Sequence, residues 1–255
     1  FSNVYVVGSS FDHYGSSNYK RGIVIQYNYL GIQQWKANFG DYINKVLIYD
    51  LDKLLVISNS GIVYDIYELD ANNGSEILNY PGGTLFESFG TGNDMIIDDA
   101  GNIYVVSTKE DVFDAKVYTT KFTRGNTDNP IFTWWKYDLD NVSAYTGISV
   151  KLDKNKNVYT LASVTSSINY CTISKRNASM QNVWIKPYFL DNSIDFYPVS
   201  FSLRRKSVNP DIYVSGYTSL GDIITGKFDN NDESVPNLIW EVPYDCGTDG
   251  NDVAS

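Results

Sequence analysis

A Gly-Asn-Asp triplet occurs twice in this chain, at Gly92–Asn93–Asp94 and at Gly250–Asn251–Asp252. Carboxylates held at a defined separation are what acid–base hydrolysis of a glycosidic bond requires. If both triplets open inner strands around a central axis, Asp94 and Asp252 are candidate axial-channel carboxylates. The other units place Asn44, Thr146 and Tyr197 in roughly the same region, and none of these is a carboxylate. Gly-Asn-Asp is also ordinary turn chemistry leading into a strand. No catalytic residue is therefore assigned.

The remaining reactive side chains are few. His13 is the single histidine and lies in the polar run "SSFDHYGSSNYK". A Ser-His-Asp triad would depend on it, and no nucleophile motif stands nearby. One histidine also excludes a His-rich metal site. The acidic stretches "YDLDK" (49–53), "YDLDN" (137–141) and "DNNDE" (229–233) offer hard oxygen ligands. None has the spacing of a calcium loop, so a structural calcium has no motif behind it, and no cofactor or metal ligand is expected. Cys171 and Cys246, the only cysteines, could form one disulfide or stand as two small buried apolar residues. Asn73, Asn141 and Asn177 head Asn-x-Ser sequons and are candidate glycosylation sites in turns, usable only in a secretory pathway.

The elements that must position these residues form a repeat. "NVYVVGSS", "KLLVISNS", "NIYVVSTK", "NVYTLASVTS" and "DIYVSGYTS" are β-branched and aromatic runs closing on small or polar residues, a strand signal. Their aligned positions Tyr5, Leu55, Tyr104, Tyr159 and Tyr213 are spaced by 50, 49, 55 and 54 residues. A second strand and a Gly- or Asn-rich turn follow each time. A third strand then carries a large aromatic: Trp35, Tyr80, Trp134 or Trp135, Trp184 and Trp240. Of these, Trp35, Tyr80, Trp135, Trp184 and Trp240 are expected to pack between neighbouring units. A fourth strand leads into the next unit. Four strands per unit of about fifty residues is the pattern of a propeller blade.

Composition agrees with an all-β chain. Aromatics make up 15% of residues, with 21 Tyr against 2 Met, and Tyr suits a half-buried pleated surface. The net charge of −10 opposes binding to phosphate backbones, so no nucleic-acid partner is expected. No apolar run approaches the roughly 20 residues that span a bilayer, so no membrane insertion is expected. The chain starts at Phe1, which fits either secretory processing or a fragment boundary.

The units resemble the bacterial β-propeller repeat called SBBP. In the third unit Asp99, Gly101, Asn102, Tyr104, Lys121, Phe122, Gly125 and Trp134 or Trp135 follow its pattern. In the fifth, Tyr213, Gly216, Lys227, Phe228, Asp229 and Trp240 do so. The second unit departs from it, with Leu55 for Tyr and Glu68 for Lys. The resemblance implies a propeller, often in a secreted or cell-surface setting, and carries no catalytic residues.

The expected fold is one all-β domain over 1–255, a five-bladed propeller with units at 1–50, 51–99, 100–153, 154–206 and 207–255. Counting on from Tyr213 through Ser255 and round to Tyr5 gives 47, close to the internal spacings. "TDGNDVAS" (248–255) is accordingly expected to pair with the N-terminal strand and close the ring. The expected role is a non-enzymatic binding or assembly module, extracellular or at the cell surface, with carbohydrate, surface proteins or copies of itself as partners. Two alternatives stand beside it: a five-bladed glycosidase-like hydrolase using axial carboxylates, and a filament or surface-layer subunit joined by strand exchange.

Overall fold

The computed structural model describes residues 3–14, 17–81, 83–84, 87–88, 90–110, 115–123, 131–137, 144–190, 194–204, 210–230 and 235–244. For 11–14, 17–19, 81–88, 131–137 and 144 within these ranges, the description is of backbone alone. The closing segment 248–255 lies outside the described residues.

Five antiparallel sheets follow one another along the chain. The first has three strands, β1 (Val4–Tyr14), β2 (Ser17–Tyr27) and β3 (Gln33–Phe39). The second holds β4 (Tyr42–Asp50), β5 (Lys53–Ser60), β6 (Val63–Asp70) and β7 (Glu76–Pro81). A small hairpin, β8 (Gly83–Thr84) and β9 (Glu87–Ser88), precedes the third sheet. That sheet holds β10 (Thr91–Ile97), β11 (Ile103–Glu110), β12 (Ala115–Thr123) and β13 (Ile131–Tyr137). The fourth holds β14 (Ala144–Leu152), β15 (Val158–Thr165), β16 (Tyr170–Arg176) and β17 (Asn182–Tyr188). The fifth holds β18 (Phe196–Leu203), β19 (Ile212–Thr218), β20 (Ile223–Asp229) and β21 (Asn237–Tyr244). The sequence units are therefore offset from the sheets by one strand. Each unit's last strand is the first strand of the next sheet.

The sheets stack face to face in the manner of propeller blades. In the second, third and fourth sheets the second and third strands pack on the first strand of the following sheet, β5 and β6 on β10, β11 and β12 on β14, β15 and β16 on β18; in the three-stranded first sheet β1 and β2 pack on β4 in the same way. First strands also neighbour each other, β4 with β10, β10 with β14 and β14 with β18. Four apolar cores fill the four interfaces, around Val24 and Leu54, Ile66 and Ile103, Val106 and Val158, and Leu161 and Ile212. Strands such as β5 and β16 are buried on both faces and so read as near-continuous apolar or small-residue runs. In the end sheets, β2, β19 and β20 alternate instead, because among the described residues a neighbouring sheet covers only one of their faces.

One irregularity repeats. Each four-stranded sheet carries a β-bulge in its first strand, between Ile43 and Lys45, Gly92 and Asp94, Gly147 and Ser149, and Pro198 and Ser200. A bulge re-aims the side chains beside it. The residues equivalent to Asp94 are thus Lys45, Ser149 and Ser200. The sequence alignment set Asn44, Thr146 and Tyr197 in roughly this region; Lys45 lies one residue beyond Asn44, and Ser149 and Ser200 lie three residues beyond Thr146 and Tyr197.

Candidate functional site

Where first strands meet, the bulges gather the charged side chains of three sheets. Asp94 on β10 is buried. Its Oδ1 lies 2.9 Å from Lys45 Nζ on β4, and its Oδ2 lies 3.5 Å from Lys151 Nζ on β14. Oδ2 also accepts hydrogen bonds from Ser149 Oγ (2.6 Å) and from the Val150 amide (3.2 Å). Burial alone would push the Asp94 carboxyl up; the Ser149 hydroxyl and the two ammonium groups outweigh it and hold the carboxyl below its ordinary range.

The bulge residues themselves clamp the next sheet. Asn44 Nδ2 donates to the Gly92 carbonyl at 2.8 Å, and Asn93 Nδ2 donates to the Gly147 carbonyl. From the second strands, Asn59 accepts from the Gly92 amide at 2.8 Å and Thr108 from the Gly147 amide at 3.0 Å. At Gly92 and Gly147 the neighbouring sheet leaves little room for a side chain. A Cβ on Gly92 would lie 2.8 Å from Ile57, and one on Gly147 2.5 Å from Val106.

This geometry bears on Asp94 as a candidate axial-channel carboxylate. A hydrolase acid must meet substrate and trade protons near neutral pH. Asp94 is instead buried, with Oδ1 beside the Lys45 ammonium and Oδ2 held by Ser149, the Val150 amide and Lys151. It joins three sheets together. Its companion Asp252 lies outside the described residues.

At the end of the third and fourth sheets, the turns between first and second strands share a cap. Asp98 Oδ1 accepts from the Ala100 and Asn102 amides, both at 2.9 Å, while Oδ2 accepts from Asn102 Nδ2 (2.8 Å) and Tyr104 Oη (3.2 Å). Asp153 repeats this set with Asn155, Asn157 and Tyr159. The aspartate that organises the Gly-Asn-x-Tyr motif is therefore Asp98, not Asp99. Asp99 is exposed and pairs with Lys156 at 2.7 Å, which lowers the acid and raises the amine. The turns of the third and fourth sheets flank an open cleft of about 570 Å³ floored by Ile96, Ile97 and Leu152 and rimmed by Asp98, Asp99 and Lys156. Among the described residues no three His, Cys, Asp or Glu side chains gather as a metal-binding group.

The other candidates fall in varied places. Cys171 is a free thiol buried in the core between the fourth and fifth sheets, where burial pushes its pKa up. Cys246, the other half of the possible pair, lies outside the described residues. Asn73 and Asn177 both lie in turns between third and fourth strands. Asn177 caps its turn by accepting from the Ser179 and Gln181 amides. Asn141 lies outside the described residues, as does the side chain of His13.

The aromatics divide into two positions. Trp35, Trp184 and Trp240 stand opposite Gln26, Lys175 and Lys227, whereas Tyr80 and Trp135 stand opposite Ile66 and Thr119, two pairs further along. Trp35, Trp184 and Tyr80 are buried. Trp240 is 40% exposed, because no sheet follows β21 among the described residues. The Trp135 side chain is not among those described. The two positions follow from register, which a list of aromatic residues does not contain.

No family model and no curated protein matches the chain. Solved structures that match include BamB from Moraxella catarrhalis, at 13% identity and TM-score 0.45, over 94% of this chain and 77% of that one. The Dos1 propeller matches at 14% identity and TM-score 0.45, over 87% of this chain and 55% of that one, so the chain spans about half its length. Drosophila Semaphorin 1b, extracellular domains 1–2, matches at 7% identity and TM-score 0.36, over 94% of this chain and 79% of that one. These are likenesses of strand arrangement and bring no ligand or partner to this chain.

Proposed function

We propose that this chain is a non-enzymatic, five-bladed β-propeller that serves as a binding or assembly module outside the cell or on its surface. The observation that carries this reading is the commitment of Asp94 to the scaffold. The side chain best placed for axial chemistry spends both its oxygens holding three sheets together. In this reading residues 248–255 supply the inner strand that the first sheet lacks among the described residues. Gly250–Asn251–Asp252 repeats Gly92–Asn93–Asp94, and β1 pairs only with β2 among the described residues. Surface carbohydrate and surface proteins are the proposed partners.

The edge of β1, unpaired among the described residues, favours a second reading, in which a neighbouring molecule donates that strand and the protein polymerises. Light scattering after size-exclusion chromatography separates the two. Closure within one chain gives a concentration-independent monomer, and strand exchange gives a ladder of sizes.

The enzymatic alternative has its own test. Purified protein is assayed on a panel of aryl glycosides beside Asp94→Asn. The expected result is release no faster than the buffer blank for either protein. Hydrolysis that Asp94→Asn abolishes while its circular dichroism stays native would overturn the proposal.

A further inference from the structure

We propose that this chain pairs face to face with a second copy of itself, through the end of the sheets that carries the turns from first to second strands. Such a pair gives the assembly role above a partner. It rests on that reading but needs only the contacts between successive sheets, not closure at β1.

The first strands stand side by side in register. Lys45, Asp94 and Ser149 hold the same bulge position, and Asp94 touches both neighbours. Their turns into the second strands therefore leave at one end, where Lys156 of the fourth sheet reaches Asp98 and Asp99 of the third. Charge on these turns changes sign halfway along the series. In the second sheet Asp50, Asp52 and Lys53 leave −1, and in the third Asp98 and Asp99 leave −2. In the fourth Asp153, Lys154 and Lys156 leave +1, and in the fifth Arg204, Arg205, Lys206 and Asp211 leave +2. The Arg204 amide donates to the Asp211 carbonyl as the Asp98 and Asp153 amides donate to the Asn102 and Asn157 carbonyls. A guanidinium thus stands in the fifth sheet where the third and fourth hold a carboxylate. Asp50, Asp52, Asp99, Lys154 and Arg204 are exposed.

A face with opposite signs on its two halves is complementary to itself. Take a two-fold axis that lies in this face and passes between the third and fourth sheets. It lays the third sheet's turn over the fourth sheet's turn of the other copy, and the second over the fifth. Every negative turn then meets a positive one, each contact occurs twice, and the pair is closed. A polyanion would be repelled by the acidic half of the face, and a polycation by the basic half.

Apolar groups stand on the same face. Leu51, at the tip of the second sheet's turn, is 100% exposed, and Ile48 beside it is 61% exposed. The third and fourth sheets carry Ala100 and Asn155 at that tip. The cleft floored by Ile96, Ile97 and Leu152 lies between the third and fourth turns, on the axis itself, where it faces its own copy.

Salt separates this contact from the charge of the whole molecule. Two copies carrying −10 each repel when unscreened. At about 0.1 M salt the Debye length is about 10 Å, which screens whole molecules from each other and leaves facing turns attracted; at about 1 M it is about 3 Å, and the turns are screened too. Sedimentation velocity of the full chain should therefore show a concentration-dependent monomer–dimer equilibrium at the lower salt and monomer at the higher. The concentration-independent monomer of a closed ring is read at the higher salt, where strand exchange, held by backbone hydrogen bonds, would still give its ladder.

Exchanged charges give the decisive test. Asp50→Lys with Asp52→Lys makes the second turn positive, and Arg204→Glu with Arg205→Glu makes the fifth negative. Native circular dichroism shows that each variant folds. Each alone should lose its dimer at the lower salt, because like charges then face each other. Mixed, the two should form a one-to-one dimer, because the two reversed turns face one another. Misfolding cannot produce that recovery. A wild type that stays monomeric at the lower salt, variants that still pair with themselves as tightly as wild type, or a mixture that does not pair would overturn the proposal.

Discussion

Replacing Trp184 with alanine is expected to lower folding stability by about 3–5 kcal/mol, the range for emptying a large aromatic site in a packed core. Trp184 projects from β17 into the core between the fourth and fifth sheets, among Tyr159, Ile212 and Phe228. Its ring meets Tyr159 edge-on at 6.0 Å. The cavity would sit at an interface of two sheets, where neither can collapse without shearing against the other. Urea unfolding at constant m-value measures the loss. Trp184→Phe should cost under about 1.5 kcal/mol, since it keeps the plate and removes an indole N–H that has no acceptor. A phenylalanine as damaging as the alanine would show that the indole nitrogen, rather than the plate, holds the interface.

Asp94→Ala is expected to cost about 2–3 kcal/mol near neutral pH. Breaking a fully buried ion pair costs about 3–5 kcal/mol, and the figure is trimmed because the two lysines remain about one-third exposed, at 36% and 32%. The loss has a pH signature. The folded carboxyl titrates below its unfolded value of about 3.9. Its contribution is therefore fully present above that value and disappears as pH falls through the lower, folded one. The stability gap between wild type and Asp94→Ala should be flat from about pH 5 upward and shrink as pH falls below the unfolded value of about 3.9. Denaturant midpoints of both proteins across that range are the measurement. A gap that persists unchanged into acid would mean that Asp94 contributes by packing rather than by charge.

The strands and their fifty-residue period were legible in the sequence, because β-branched and aromatic runs are local signals. Tyr104 and Tyr159 mark their strands and also complete the turn caps that Asp98 and Asp153 organise. Choosing Asp98 over Asp99 was not legible, since adjacent aspartates differ only in the turn geometry around them. The bulges were hidden for a related reason: Asn44 and Asn93 look like ordinary turn residues until strand pairing shows the extra residue. The Lys45–Asp94–Lys151 link leaves no local spacing at all. It joins residues about fifty positions apart, and only the stacking of successive sheets brings them together. A repeat spaced by a lysine in one unit and an aspartate in the next reads as a mismatch in an alignment, although in space it is a complement.

The central claim is that these five sheets form a ring closed at β1 by residues 248–255. Hydrogen–deuterium exchange of the full-length protein tests it without any substitution. In a closed ring the amides of Val4–Ser10 lie in an interior strand, and every second one donates to the closing strand. Exchange there should be as slow as in Lys53–Ser60 of β5, the equivalent strand of the second sheet, and unchanged by dilution. Fast exchange at alternate residues of β1, as on an open sheet edge, would contradict the account.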